Sequence, residues 1–444
     1  MDALKSKHRN PKDKGMSQVD NNILRGQKVF LPQLSVEGSA YFAAALRSVG
    51  IEAEVYPDSD SETLRLGGQL TSGDECYPQK ITLGNFYKVL LDKDFDPDRT
   101  AFFFATTGGP CRFGQYVPYF KKVLREMGYP QIPVLSPTSD TGYNRLGEGA
   151  GNFQRTAWRA IVCADILRKL ILKTRPYEIN SGETNKVHQE CVQLMCKVIE
   201  IPGRSNTQKM RDLLDGLEEV RDRFRKIKVN YDRDRLFIGV VGEIFCRHEE
   251  FANNFLIRSV EKLSGEVWLA NIAEWVAYTD FIYTQRLIIQ NKLISKDMLK
   301  VKIKGAIQHR DEKKLYEPFK KEFKGYEEPE HIGQLLARGA SYLPYRGAIG
   351  EMVLSVGTSL HFYDKGIDGV IDISPFTCMN GIVTEAIYPK MSKEHNNLPV
   401  RVFYFDGTET DLDRDLNIFL DLARTYRRRK KKKRVYPQIF PISN

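Results

Sequence analysis

Along the chain, short apolar runs alternate with longer segments whose apolar positions recur every three to four residues. Val29–Leu34 reads as a strand, Ser39–Val49 as a helix and Ala53–Tyr56 as a second strand. Pro78–Leu91 then reads as a helix, Ala101–Ala105 (AFFFA) as a buried strand and Phe113–Met127 as a helix, before strand Ile132–Leu135 and the long helix Asn152–Leu172. Strands separated by helical segments predict a parallel sheet covered on both faces. From Gly182 to Lys228 the pattern is helical and charged, broken only at Ile201-Pro202-Gly203, which predicts a bridge. The alternation resumes at Leu236 with LFIGVVG as a strand, Glu249–Leu263 as a helix and Glu266–Ala270 as a strand. A Lys-rich helical insertion covers 280–325. Helix Ala348–Phe362, strand Gly369–Ile373, helix Gly381–Met391, strand Val400–Phe405 and a last helix from about Asp411 complete the series.

The expected fold is α/β: two doubly wound parallel-sheet lobes, 26–180 and 235–426, joined by a helical bridge, 181–234, with the insertion in the second lobe. Residues 1–25 and 427–444 read as a disordered N-terminal tail and a basic C-terminal tail. No exact internal repeat is visible. In such sheets ligands bind beyond the carboxyl ends of the strands.

Composition narrows the class. An apolar share of 41% over 444 residues supports ordinary cores in two or three domains and excludes a mostly disordered chain. No apolar run approaches the roughly 18–20 residues of a membrane span. The first residues are basic but carry no apolar stretch of the kind a secretory signal needs. Seven cysteines do not form a secreted disulfide framework, so a reducing cytoplasm is expected. The net charge of +10 sits at the ends: Arg427–Arg434 (RRRKKKKR) supplies 8 and residues 1–15 supply 3, leaving the body slightly acidic. Such blocks are usually solvated tails. The run could also touch RNA, an anionic membrane or an acidic partner.

Three cysteines share one kind of place. Cys76 (SGDECYPQK), Cys111 (TTGGPCRFGQY, after AFFFA) and Cys378 (ISPFTCMNG, after GVIDI) each read as lying in a loop beyond a strand, at or near a helix start. Unpaired N–H groups and the helix dipole there favour a thiolate, the metal-binding form. Three thiolates from two lobes suit an iron–sulfur cluster with one open position, although the compact four-cysteine run of ferredoxins is absent and isolated cysteines also serve as small core hydrophobes. Cys163, Cys191 and Cys196 fall in helical patterns and read as fillers. Cys246 and His248 form a conceivable zinc pair that no second pair completes.

Other motifs fail. Gly239–Glu243 lacks G-x-G-x-x-G, and there is neither a G-x-x-x-x-G-K-[ST] loop nor a G-x-S-x-G elbow, so no nucleotide site is expected on this chain. His361 and Glu351 share a helical stretch near the Cys378 strand and form a possible proton-transfer pair.

The segments SGDECYPQKITLGNF, TTGGPCRFGQY, IGVVGEIFCRHEEFANN and DISPFTCMNGIVTEA, followed by FYFDG, resemble the 2-hydroxyacyl-CoA dehydratase-like family. The likeness is to the region that follows the ATPase domains in large CoA-dehydratase activase-type proteins, and it spans roughly residues 28–410. It implies a [4Fe-4S]-type cluster held by Cys76, Cys111 and Cys378, with a double-cubane cluster in a related branch. It further implies a homo- or hetero-dimer and a separate ATP-hydrolysing iron–sulfur activator that delivers one electron. The electron would pass to an acyl-CoA, allowing water loss, or to another substrate that is hard to reduce. The family's sugar-kinase-like ATPase domain is lacking here, and its Cys-Met-Pro pattern reads Cys378-Met379-Asn380. Within this reading Gly108, Gly109 and Pro110 shape the Cys111 loop. Arg112 offsets cluster charge or meets an anionic substrate, and Glu243 relays a proton or caps its loop. The alternative from another class is a non-catalytic protein that binds RNA or acidic partners through its basic tail.

Overall fold

In the computed structural model, residues 26–108, 111–137, 150–346, 350–408 and 411–439 are described. The expected N-terminal tail, 1–25, lies outside them. The first lobe runs β1 (Lys28–Leu31), α1 (Val36–Arg47), β2 (Glu52–Val55), α2 (Ser61–Gln69), α3 (Tyr77–Leu90), β3 (Thr100–Phe103), α4 (Tyr116–Glu126), β4 (Val134–Leu135) and α5 (Ala150–Thr174). Helices α6 (Glu183–Ile199) and α7 (Asn206–Arg225) follow. The second lobe runs β5 (Leu236–Gly242), α8 (Ile244–His248), α9 (Leu256–Lys262), β6 (Gly265–Leu269), α10 (Ile272–Ile289), α11 (Lys296–Tyr316), α12 (Ile332–Arg338) and α13 (Met352–Asp364). It closes with β7 (Gly369–Pro375), α14 (Met379–Glu394), β8 (Val400–Phe405) and α15 (Leu412–Arg429).

Both sheets have four parallel strands, in the orders β2-β1-β3-β4 and β6-β5-β7-β8. The two orders are equivalent: in each lobe the first strand lies between the second and the third, which puts a topological switch point beside it. The repeat invisible in sequence is therefore present in connectivity. Strands β5, β6 and β7 are buried on both faces, as continuous apolar runs in a helix-covered parallel sheet should be. The segment read as a bridge is a helix pair laid against α1 and α5, its ends tied by an isolated pairing of Glu178 with Val229.

Several expectations are corrected. Helix α2 was not foreseen, because SETLRLGGQ is polar and carries two glycines. It is set by a reciprocal capping box between Asp60 and Thr63, and its crossing with α3 is so close that a Cβ at Gly84 would lie 1.9 Å from the Thr63 carbonyl oxygen. The helix expected over Glu249–Leu263 is broken, because Asn254 and Phe255 adopt left-handed backbone. The helical insertion begins earlier than expected, with α10 starting at Ile272. Helix α13 starts at Met352, and 347–349 are outside the described residues.

The basic run departs in part from the solvated tail expected. Arg428, Arg429 and Lys431 to Lys433 are exposed, but its first residues complete α15, and Lys430 and Arg434 tie it to the amino ends of the second sheet. Lys430 pairs with Asp368 at 2.7 Å, and Arg434 pairs with buried Glu266 at 2.7 Å. The Arg434 guanidinium also lies 4.0 Å from the Phe237 ring centre. Burying Glu266 demands a cation, and the end of the run supplies it.

A buried charge network joins the lobes. Arg168 of α5 donates to Glu37 of α1 at 2.9 Å and to Glu250 of the second lobe at 2.9 Å, and His188 of α6 completes the set on Glu37. Burial alone would raise the Glu37 pKa, but the charges of Arg168 and His188 outweigh it and hold the carboxyl at about 2. Because the folded value lies below the unfolded one, this stabilisation is full above about pH 4.5 and is lost as pH falls toward 2. Urea titrations between those limits should show a downward slope with acid that Glu37→Gln reduces. An unchanged slope in the variant would remove Glu37 as its source.

Candidate metal centre between the lobes

The carboxyl ends of both sheets face one cavity of about 590 Å³. Cys76, Cys111 and Cys378 all line it, together with Glu243, Glu351 and Tyr116. Three cysteines far apart in sequence and drawn from two lobes thus open onto the same space. All seven cysteines are free thiols.

Each of the three caps a helical start. Cys111 precedes a single 3-10 turn that leads into α4, and Cys378 precedes α14 directly after β7. Cys76 departs from expectation: it caps α3 at the turn of the α2–α3 pair, one helix removed from its strand β2. Helix α3 starts with Tyr77-Pro78, where a missing N–H costs nothing. The residue before Cys378, Thr377, has φ of 65°. A β-branched residue there stores about 1–3 kcal/mol of strain and aims the Cys378 loop.

Without a bound cation, desolvation disfavours the thiolate form at all three cysteines. Burial pushes Cys76 up, Cys111 to about 11 and Cys378 to about 12, and the carboxylates of Glu243 and Glu351 add to the rise in Cys111 and Cys378. Opposing this, first-turn N–H groups act in the thiolate direction: Gln79 on Cys76, Phe113 on Cys111, Asn380 and Gly381 on Cys378. The expectation that helix starts alone would lower these pKa values is corrected, since desolvation is the larger effect. What deprotonates such thiols is a cation bound among them. Tyr116 lies 2.6 Å from the Cys76 sulfur and is buried beside it. The described geometry fits a bound cluster in its donor set and its N–H groups, with Cys76 and Cys378 half-buried and Cys111 exposed. Among the described residues no three His, Cys, Asp or Glu side chains are close enough to hold a single metal ion. A cluster asks for something else, because each thiolate binds its own iron and the sulfurs stand apart.

Glu243 does both things expected of it. Its carboxylate accepts from the N–H groups of Phe245 and Cys246 at 3.0 and 2.8 Å, capping α8, and it also lines the cavity. Glu351 accepts from the Ile244 N–H at 3.2 Å, so two carboxyls meet around one short helix. Burial raises the pKa of both, and for Glu351 the charge of Glu243 raises it further. Both effects favour the protonated carboxyl over the carboxylate. Arg112 reaches across to the Asp74 carbonyl oxygen at 2.7 Å, tying the Cys111 loop to the Cys76 loop. Gly108 lines the cavity, whereas Gly109 and Pro110 lie outside the described residues.

Two sequence pairings are not brought together. His361 bonds the Glu327 carbonyl oxygen, ten residues or about 15 Å along the helix from Glu351. Cys246 and His248 are both buried, but two residues apart on one helix they face different ways. Cys163 and Cys191 are core fillers as read, and Cys196 is half-buried. Tyr116 carries no sequence signal, and Asn380 stands out there only as the departure from the Cys-Met-Pro pattern. Asn380 is buried at the cavity wall with its Oδ1 lacking a partner among the described residues.

Compared with known proteins, the chain matches no protein-family model and no curated sequence. No helix among the described residues is long and apolar enough to cross a membrane.

Proposed function

We propose that this chain is the iron–sulfur component of a 2-hydroxyacyl-CoA dehydratase- or reductase-type system, working in a reducing cytoplasm. Cys76, Cys111 and Cys378 would hold a [4Fe-4S]-type cluster, which supplies one-electron chemistry when bound. A separate ATP-hydrolysing activator would provide the low-potential electron, and an acyl-CoA is the substrate class that the sequence resemblance favours. The observation carrying this reading is the convergence of three cysteines, singled out from sequence alone, on one cavity at the switch points of both sheets.

The chain's own residues have definite tasks in this reading. The two lobes wall the reacting space from both sides. Glu243 and Glu351, both with raised pKa values at the cavity wall, would be proton donors to a departing hydroxyl group. Tyr116 fixes the Cys76 sulfur, and Arg112 fixes the spacing of the two loops in the first lobe. The strapped basic run takes Lys430 and Arg434 out of the alternative reading, in which that run is a free binding tail.

Iron and acid-labile sulfide on anaerobically purified protein test the proposal. About four irons per chain are expected, lost in Cys111→Ser, whereas about eight would indicate a double-cubane cluster. Protein that takes up no iron on anaerobic reconstitution would sink it.

A further inference from the structure

Exposed apolar side chains are ordinary when scattered, but here they crowd one place. Of the seventeen large hydrophobic side chains exposed among the described residues, six lie between residues 288 and 303, at the tip where α10 turns into α11. Ile294 is fully exposed and Ile289 is 68% exposed, while Leu293, Leu299 and Ile303 are each more than half exposed. The same stretch carries Lys292, Lys296, Lys300 and Lys302, all exposed, against a single acid, Asp297. Beneath the tip Leu287, Met298 and Val301 form a small buried cluster of their own. The outward residues are therefore surplus to what folds the hairpin.

We propose that this tip is an interfacial anchor that seats the protein on an anionic lipid surface. Charge decides between occupants. A second copy of the chain would bring the same four lysines against these, a like-charge contact that costs association. A surface of anionic headgroups is attracted by each lysine within a screening length of about 8 Å. The apolar side chains then enter the acyl boundary while the lysines stay at headgroup level, the arrangement of an interfacial amphipathic segment. The site is the exposed connection between two helices, which suits insertion into a lipid boundary. It does not depend on the cluster, and its test is separate from that of the redox reading.

The test is co-sedimentation of the full chain with vesicles of phosphatidylcholine alone and of phosphatidylcholine with about one third phosphatidylglycerol, at about 0.15 M salt. Binding is expected to the mixed vesicles and not to the neutral ones. Ile294→Ser with Leu293→Ser, which leaves charge unchanged, should weaken binding roughly tenfold or more, the scale of burying one large aliphatic side chain. Both positions are exposed, so the variant keeps its fold, which far-UV circular dichroism verifies. Three outcomes overturn the proposal. One is failure of the parent protein to bind mixed vesicles. Another is binding indifferent to the serine variant but abolished by Lys431→Gln, Lys432→Gln and Lys433→Gln, which would assign it to the basic run. The third is a concentration-dependent dimer that the serine variant dissociates, which would give the tip to a second copy.

Discussion

Arg168→Met is expected to destabilise the protein by about 3–5 kcal/mol, because it strands a buried carboxylate. Glu37 is wholly buried and takes two bonds from the Arg168 guanidinium, at 3.2 and 2.9 Å. Removing the guanidinium leaves only His188 to face that charge and also frees Glu250, whose bond to Arg168 spans the lobes. The loss is large against the roughly 5–15 kcal/mol by which whole proteins are stable. The double variant with Glu37→Gln should recover part of it, since the stranded charge is then gone. Urea unfolding followed by circular dichroism measures all three. If the two single losses simply added, the residues would not be acting as a pair.

Gly242→Ala is expected to cost about 3 kcal/mol or more and to lower occupancy of the proposed cluster, although none of the proposed cysteine ligands is touched. Gly242 ends β5 with φ of 118°, a conformation that suits glycine alone. A Cβ there would lie 2.1 Å from the Ile373 carbonyl oxygen and 2.5 Å from its nitrogen, inside the neighbouring strand. Relief requires β7 to move, and β7 leads directly to Cys378. The next residue is Glu243, whose N–H bonds the Ile373 carbonyl oxygen at 2.8 Å. The same shift would therefore disturb the carboxyl pair. The variant should melt at lower temperature and retain little iron after anaerobic reconstitution. Parent-like melting with parent-like iron would show that the sheet absorbs the methyl group.

The sheets were legible because their strands are nearly unbroken apolar runs, LFIGVVG and AFFFA above all, which only a strand buried on both faces needs. The three cysteines were legible because a strand, a glycine-rich loop and a helix start follow one another in sequence around Cys111 and, with less glycine, around Cys378. Tyr116 was not legible, since nothing local marks a helical tyrosine as the neighbour of a cysteine from another element. Glu351 reads as lying near the Cys378 strand, but with His361 in place of its actual neighbour Glu243. Their place at the site comes from the docking of α13 and α4 around the two sheets. The basic run misled for a related reason. Its charge density is that of a solvated tail, but the buried acids that bind Lys430 and Arg434, Asp368 just before β7 and Glu266 near the start of β6, lie at the opposite end of the second sheet from the cavity. Helix α2 escaped notice because its two glycines are ordinarily helix-weakening, yet one of them, Gly67, is what allows α3 to approach so closely.

Mössbauer spectroscopy of protein reconstituted anaerobically with enriched iron and sulfide tests most directly that three cysteines from two lobes hold one cluster. The expected spectrum contains two kinds of iron in a ratio of about three to one, the minority iron lacking a thiolate. Four equivalent thiolate-bound irons, or isolated iron without the magnetic coupling of a cluster, would contradict it.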